Sequence, residues 1–166
     1  MGLINGTVTL ESNHKTWQIM FEEEKERLNN IFNNSFPIEH VGSTAVKGLK
    51  AKPIIDIAIG LTSFNELDKY KEELSKYYTI KENNEHNEVL LIKEHNEETF
   101  VLIHIMLKND KRYQNMIKFR DILINHPDIL KEYEQLKERL ASKYTSDRKK
   151  YTESKNEYIQ SILEKY

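Results

Sequence analysis

An aspartate inside an otherwise apolar segment is the feature that most restricts how this chain can fold. Asp56 interrupts residues 54–59, whose other members are isoleucine or alanine and predict a buried strand. Burying a carboxylate without a partner is energetically costly, so Asp56 is expected to face a metal, a cation or a cleft. The alternative is a structural ion pair with Lys47, Lys50 or Lys52, because buried ion pairs also place acids on strands.

A Gly-Ser turn precedes this strand and has the chemistry of a phosphate site. Gly42 leaves the backbone free of a Cβ, Ser43 adds a hydroxyl, and a short helix can begin at Thr44. The flexible charges of Lys47 and Lys52, between the turn and the strand, can neutralise phosphates, although solvated loop lysines are equally ordinary. Turn and strand together predict a nucleotide-triphosphate site.

The strand also predicts a limited metal site. Side chains at 54, 56 and 58 share one face of a strand, and catalysis by two magnesium ions requires acids at both 56 and 58. Position 58 is alanine, so Asp56 alone would hold one Mg²⁺, whose remaining ligands would be waters and substrate phosphates. His104, inside an apolar run, and His40, just before the turn, are candidate further metal ligands. For both histidines, a hydrogen-bonded core position is the alternative.

Strand and helix patterns alternate over the first two thirds of the chain. Apolar runs and alternation predict strands at 7–10, 36–41, 54–59, 88–93 and 99–107. The last two form a hairpin across the polar residues 95–98. Apolar residues from Trp17 to Phe32 recur at helical spacing, and the capping box of Ser63 and Glu66 opens a second helix. The order of these patterns predicts an α/β core over residues 1–110.

Residues 111–166 have a different character, because no strand-like run remains. Three helical patterns follow at 111–125, 128–143 and 147–165. No linker rich in Gly, Ser or Pro separates them from the core, so one compact unit is expected. Arg120, Lys137, Arg148 and Lys155 stand among aromatic residues and could close a cation-lined pocket over the strand. The alternative is that the tyrosines are packing residues with lysines lying beside them.

Composition excludes several classes of function. The 166 residues include 25 basic and 27 acidic ones, which argues against a globally basic nucleic-acid binder. The chain has no cysteine, so disulfides, thiolate zinc sites and thiol catalysis are excluded. No apolar run approaches the ~20 residues of a membrane span, and the N-terminus does not resemble a signal peptide. A cytoplasmic protein without a membrane partner is therefore expected, and the oligomeric state is not predicted.

The block around the turn and the strand, residues 39–46, 48–49 and 52–57, closely resembles the GrpB family. The resemblance extends through residues 119–121, 126–127, 133, 137, 147–148, 151 and 155. GrpB proteins are similar to minimal members of the DNA polymerase β-type nucleotidyltransferase superfamily. In that superfamily a Gly-Gly or Gly-Ser turn is followed by a strand bearing two acids, with a third acid on a later strand. Ala58 and His104 stand here where the second and third acids are expected.

The resemblance implies a nucleotidyltransferase-like α/β (α+β) fold, with a mixed sheet flanked by helices and a C-terminal helical lobe. It implies a nucleotide or phosphorylated small molecule as ligand, Mg²⁺ as cofactor and Asp56 as the catalytic carboxylate. The expected phosphate-binding residues are Gly42, Ser43, Thr44, Lys47, Lys52, Arg120, Lys137, Arg148 and Lys155. Three functions stay open: a small-molecule nucleotidyltransferase, a binding module that lost its acids, and a protein-interaction scaffold.

Overall fold

The computed structural model describes residues 2–166. Its strands are β1 (Leu3–Ile4), β2 (Ile38–Val41), β3 (Ile55–Leu61), β4 (Thr79–Asn83), β5 (Glu88–His95) and β6 (Glu98–Leu107). Its α-helices are α1 (His14–Phe32), α2 (Lys71–Ser75), α3 (Lys111–Asn125), α4 (Pro127–Lys143) and α5 (Arg148–Lys165). Short 3-10 helices occupy Ser43–Ala45 and Phe64–Tyr70.

The strands form one mixed sheet in the order β2-β3-β6-β5-β4. The central pair β3 and β6 is parallel, and the other pairs are antiparallel. β1 pairs with the first residues of β6, before the point where β3 begins to pair with it. Asp56 therefore lies on a strand with a neighbour on each side, near the middle of the sheet.

One face of the sheet carries the main hydrophobic core. Odd-numbered residues of β3 from Ile55 to Leu61 are fully buried on this face, where α1 contributes Trp17, Phe21, Leu28 and Phe32. Because side chains alternate along a strand, Asp56, Ala58 and Gly60 lie on the opposite face. A Cβ atom on Gly60 would be 2.7 Å from the ring of Tyr113, so α3 packs closely against this end of β3.

The three C-terminal helices pack against one another and against the loop that follows β2. Their shared cluster joins Val46 and Leu49 of the loop to Phe119, Ile122, Leu123, Ile129, Tyr133, Ile162 and Leu163. A smaller cluster of Val41, Ala58, Met106 and Tyr113 fixes α3 over β2, β3 and β6. The predicted fold class is confirmed: a mixed sheet is flanked by helices, and a C-terminal group of helices packs on it.

Several local predictions are also confirmed. The three C-terminal helices begin and end within a residue or two of their predicted bounds, and Pro127 is at the start of the second. The Oε1 atom of Glu66 accepts the backbone N–H of Ser63 at 2.7 Å, and the Ser63 side chain caps the helix in return. The starts of these helices are therefore set by nearby residues, as the spacing of these residues predicts.

The strands differ from the prediction in three details. Residues 7–10 form no strand, because the backbone of Val8 donates instead to the carbonyl of Thr145, before α5. β4 was not predicted, since it is a mostly exposed edge strand whose polar residues carry no apolar alternation. The connection between β5 and β6 is only Asn96 and Glu97, both with positive φ, as in the tightest hairpins.

Among the helices of residues 2–166, none is long and apolar enough for a membrane span.

Candidate functional site

A cavity of about 530 Å³ lies between the Asp56 face of the sheet and helices α3, α4 and α5. The sequence-predicted residues that line it are Gly42, Ser43, Thr44, Lys52, Asp56, His104, Arg120, Lys137 and Lys155. Sheet, turn and C-terminal helices each contribute to this set, so the fold brings together side chains that are far apart in sequence. We call this space the central cavity.

The Gly-Ser turn is held directly beside the aspartate. Val41 pairs with Asp56 across β2 and β3, and the next residue, Gly42, has a φ of 73°. A Cβ atom at Gly42 would lie 3.0 Å from Oδ2 of Asp56 and 3.3 Å from its Cβ. Glycine is required here on two grounds, namely its left-handed backbone and the lack of space for a side chain. The side chain of Ser43 interacts with that of Tyr133 on α4.

Asp56, His104 and Glu88 form a chain of hydrogen-bonded side chains. His104 donates from Nε2 to Oδ1 of Asp56 at 3.2 Å and from Nδ1 to Oε1 of Glu88 at 2.7 Å. Burial opposes protonation of the imidazole, but the hydrogen bonds and charges of the two carboxylates outweigh it and raise the pKa of His104 to about 9. His104 is therefore an imidazolium near neutral pH, with both nitrogens acting as donors.

The register of the strands explains why the side chains of Asp56, His104 and Glu88 meet. Ala58 pairs with His104 across the parallel strands β3 and β6, so His104 lies diagonally across from Asp56 on the same face. On the other side of β6, Val89 pairs with Ile105, which places Glu88 diagonally across from His104. The positive charge of His104 also lowers the pKa of Asp56, although burial of this carboxyl acts in the opposite direction.

Three lysines converge on the central cavity from different elements. Lys137 of α4 is 1% exposed, whereas Lys52 and Lys155 are half-buried. The ammonium groups of Lys52 and Lys155 lie 5.2 and 4.7 Å from the ring centroid of Tyr151, a cation–π arrangement around one buried tyrosine. The ammonium of Lys137 donates to the backbone carbonyl of Lys50.

The charged forms of these three lysines are disfavoured, because the lysines are buried close to one another. Burial, with repulsion by Lys155, lowers the pKa values of Lys52 and Lys137 to about 7 each. Burial lowers the pKa of Lys155 to about 8, with the negative charge of Asp56 acting in the opposite direction. Such a group of cations gains stability from an anion placed among them.

Arg120 lines the central cavity but is already engaged by protein acceptors. Its Nη1 donates to Glu39 at 2.6 Å and to the carbonyl of His40 at 3.0 Å, and its Nε donates to Asp121 at 2.9 Å. These bonds tie α3 to β2. The contacts favour a structural role for Arg120 over the predicted contact with phosphate.

Three predicted residues lie away from the central cavity. Lys47 is exposed on the loop and does not line the cavity. Arg148 also does not line it, although its positive charge contributes to lowering the pKa of Lys52. The Nη1 atom of Arg148 is buried without a hydrogen-bond partner in the described structure. The structure does not bring either residue to the position at which the phosphate contact was predicted.

His40, the third, is on the wrong face of the sheet for the predicted metal site. It pairs with Ile57, stacks on Phe21 of α1 with ring centroids 4.6 Å apart, and shares a 3.0 Å hydrogen bond with the hydroxyl of Thr44. Burial lowers the pKa of His40 to about 4, so its ring is neutral near pH 7. His40 and Asp56 therefore point away from each other, and the histidine supports the turn from the core side.

Comparison with known proteins identifies the family. A family model described as GrpB protein matches residues 7–165. This chain belongs to the GrpB family. It is 33% identical over 170 residues to the glutamate-rich protein GrpB of Alkalihalophilus pseudofirmus, with 98% of each chain covered. It is also 33% identical over 154 residues to the UPF0157 protein YqkA of Bacillus subtilis, with 91% of this chain and 45% of YqkA covered.

A solved GrpB structure has the same fold. The GrpB protein of Enterococcus faecalis superposes with a TM-score of 0.84 at 27% identity, covering 95% of this chain and 96% of that one. A weaker match, with a TM-score of 0.47 and 14% identity, is to Cid1, an RNA terminal uridylyl transferase, over 78% of this chain and 42% of that one. A similarity of that size does not bear on function.

Ala58, where the family resemblance led us to expect a second acid, is closed off from the central cavity. Ala58 is fully buried in the cluster with Met106 and Tyr113, beneath α3. Its strand neighbours are Glu39 on β2 and His104 on β6. A carboxylate at position 58 would lie under the apolar side chains of this cluster.

The donor set does not fit Mg²⁺. Both ring nitrogens of His104 are hydrogen-bonded to carboxylate oxygens, those of Asp56 and Glu88, so neither nitrogen presents a lone pair to a metal. The positive charges of Lys52 and Lys155 also act on Asp56. Within residues 2–166, no group of three His, Cys, Asp or Glu side chains is arranged to hold a metal ion. The predicted ligand set of Asp56, His104 and His40 is therefore not assembled.

Several lining residues were not predicted from the sequence as site residues. Glu88 supports His104, and the rim and wall of the central cavity include Arg112, Asn115, Met116, Asn156, Ile159 and Gln160. The signal for the α5 residues is helical spacing, since Tyr151, Lys155 and Ile159 recur every four positions. Glu88 had no such signal, because its contact depends on the register of the β5–β6 hairpin.

Proposed function

We propose that this protein binds a phosphorylated small molecule, with nucleotides as the first candidates, in the central cavity. The observation that carries the proposal is the convergence of Lys52, Lys137 and Lys155 on one cavity that also contains the Gly-Ser turn. Phosphate oxygens are strong acceptors for ammonium groups, and their charge relieves the mutual repulsion of the lysines. The third function considered, an interaction scaffold, does not require such a cavity.

The geometry of the turn supports the same ligand class. Gly42 has no side chain between the backbone and Asp56, and Ser43 presents a hydroxyl on the cavity wall. Lys137 and Lys155 reach the cavity from α4 and α5. A phosphate placed there would be contacted from both sides, and this would account for the position of the cations.

Nucleotidyl transfer is a second candidate function. The Gly42 turn and Asp56 lie side by side, as the superfamily pattern requires of its turn and first acid. Ala58 and His104 stand at the remaining acid positions, so the arrangement favours binding over transfer. Release of pyrophosphate from a nucleoside triphosphate, measured over a panel of small-molecule acceptors, would support transfer.

Isothermal titration calorimetry with nucleotides and phosphorylated sugars tests the binding proposal. We expect at least one phosphorylated probe to bind, and Lys155→Met to weaken that binding about tenfold or more, the loss of one charge-assisted contact. Lys47→Met is the matched control, because Lys47 is exposed and outside the central cavity. The proposal fails if no phosphorylated probe binds, or if the two variants weaken binding equally.

A further inference from the structure

We propose that the central cavity takes a phosphate monoester dianion and binds it without a divalent cation. The inference rests on the proposed function and specifies its ligand. It concerns the charge that the chain itself supplies, in the place where a related nucleotidyltransferase would be expected to use metal ions.

His104 lies next to Asp56, where a metal ion would otherwise bind. Its two nitrogens lie 3.2 Å from Oδ1 of Asp56 and 2.7 Å from Oε1 of Glu88, so one imidazolium already bridges both carboxylates. A divalent cation bound through the other carboxylate oxygen of Asp56, Oδ2, would lie beside this positive charge, which would repel it. His104 thus supplies a fixed cation in the region that a metal would otherwise occupy.

The charged side chains around Asp56 leave an excess of positive charge. Lys52, Lys137, Lys155 and His104 carry, when protonated, two more positive charges than Asp56 and Glu88 neutralise. A phosphate monoester above its second pKa of about 6 carries about two negative charges and matches this excess. A magnesium ion added to the same space would leave positive charge that the ligand does not compensate.

Asp56 is the single carboxylate that this face of β3 offers to a metal ion, since the other residues on the face are Ala58 and Gly60. Ala58 is fully buried under Tyr113 and Met106, so the face of β3 next to Asp56 is closed by apolar atoms. A Mg²⁺ ion here would therefore have one carboxylate from β3 and would need waters and phosphate oxygens for all its other ligands. The open directions from Asp56 lead to the turn and the lysines, where a phosphate fits the chemistry better than a cation.

The remainder of the central cavity indicates what the monoester is attached to. Met116, Phe119 and Ile159 line an apolar wall, with the amide side chains of Asn115 and Asn156 nearby. Apolar walls with a few polar groups are typical of sites for flat ring systems that carry hydrogen-bonding edges. A nucleoside monophosphate combines such a ring with the required dianion, so AMP is a suitable first probe.

Calorimetry on the full chain tests the inference, with AMP, ribose 5-phosphate and ATP each titrated in EDTA and in MgCl₂. We expect AMP to bind in EDTA with a Kd within about twofold of that in MgCl₂. Binding of AMP only in MgCl₂, or of ATP only as its magnesium complex, overturns the inference and leaves the proposed function intact. Failure of every phosphorylated probe in both buffers overturns both.

Asp56→Asn separates the two modes of binding further. If a metal held by Asp56 carried the ligand, this variant would lose affinity by tenfold or more. In the metal-free mode it removes a negative charge near the phosphate, so affinity for AMP stays within twofold or increases. The melting temperature of the variant, with and without AMP, shows whether it is folded. A folded variant with tenfold weaker binding would contradict the inference.

Discussion

Gly42 and Asp56 lie so close together that a Cβ on the glycine would be 3.0 Å from Oδ2 of the aspartate. The absence of a side chain at Gly42 is therefore what allows the turn to lie against the carboxylate. The role of the turn in the candidate site can therefore be tested by substituting Gly42, which carries no charge.

Gly42→Ala is expected to destabilise the fold by about 1–3 kcal/mol through its positive φ and to weaken binding of a phosphorylated probe about tenfold or more. The loss of binding follows from displacement of the turn, because Gly42 and Ser43 line the central cavity. Gly48→Ala is the matched control, since Gly48 also has a positive φ but a Cβ added to it would meet no atom within 4 Å. Urea unfolding and calorimetry on both variants check the prediction, and equal loss of binding in the two would contradict it.

Binding of a phosphate at the lysine cluster should be accompanied by proton uptake. The pKa values of Lys52 and Lys137 are lowered to about 7 and that of Lys155 to about 8, and a bound anion raises all three. Near pH 8 a phosphate monoester is already a dianion, so the protons taken up are those of the protein. Titration in buffers of different ionisation enthalpy measures this number. We expect uptake in the wild type and less in Lys155→Met; binding without uptake would show that the lysines do not contact the ligand.

The chain of Asp56, His104 and Glu88 should make stability depend on pH with a definite sign. The folded pKa of His104, about 9, is above the unfolded value near 6.5, so its contribution is complete below about pH 6.5 and is lost as pH rises to about 9. The lysines change stability in the opposite direction, so the measurement is the difference in melting temperature between the wild type and His104→Gln. This difference should shrink between about pH 6 and pH 10, and a constant difference would argue against an imidazolium.

A buried acid on α1 provides a test of stability away from the central cavity. Glu24 is 3% exposed and accepts hydrogen bonds from Tyr78, Arg27 and Lys93. Burial opposes its ionisation, but the hydrogen bonds, first that of Lys93, outweigh it and lower the pKa of the Glu24 carboxyl. Its stabilising contribution is therefore present above the unfolded pKa, near 4.5, and is lost as pH falls through the folded one.

Glu24→Ala should reduce the free energy of unfolding by about 2 kcal/mol, because it leaves donors without an acceptor. The loss stays below that of a fully buried pair, since Arg27 and Lys93 keep 34% and 38% of their side chains exposed. Glu23→Ala, on the exposed side of the same helix, should change stability by less than about 0.5 kcal/mol. Urea unfolding of the two variants decides, and a similar effect in both would contradict the assigned role of Glu24.

The predicted residues that the structure brings to the central cavity are mostly those recognised from local chemistry. Gly42 and Asp56 were predicted because a turn and a charge within a strand can be recognised without knowing their neighbours. Lys137 and Lys155 followed from cations among aromatic residues on helices. The fold class followed from the same periodicities and from the family resemblance.

The parts that could not be predicted depend on how strands pair. The sequence places residues 54, 56 and 58 on one face, but not which residues of β2 share that face, so His40 was assigned to the wrong side. The contact between His104 and Glu88 depends on a hairpin register set by a two-residue connection at Asn96 and Glu97. The burial of Ala58 depends on the position of α3, which no local pattern encodes.

The central cavity has one wall from the sheet and the Gly42 turn and another from α4 and α5. Neither wall is a binding site by itself, because the sheet has the turn without Lys137 and Lys155, and the helices have these lysines without the turn. A ligand that contacts both walls would link the sheet and the Gly42 turn to α4 and α5. Each local opening of α5 would then release the ligand. A change that makes α5 open more often would therefore weaken the affinity for the ligand.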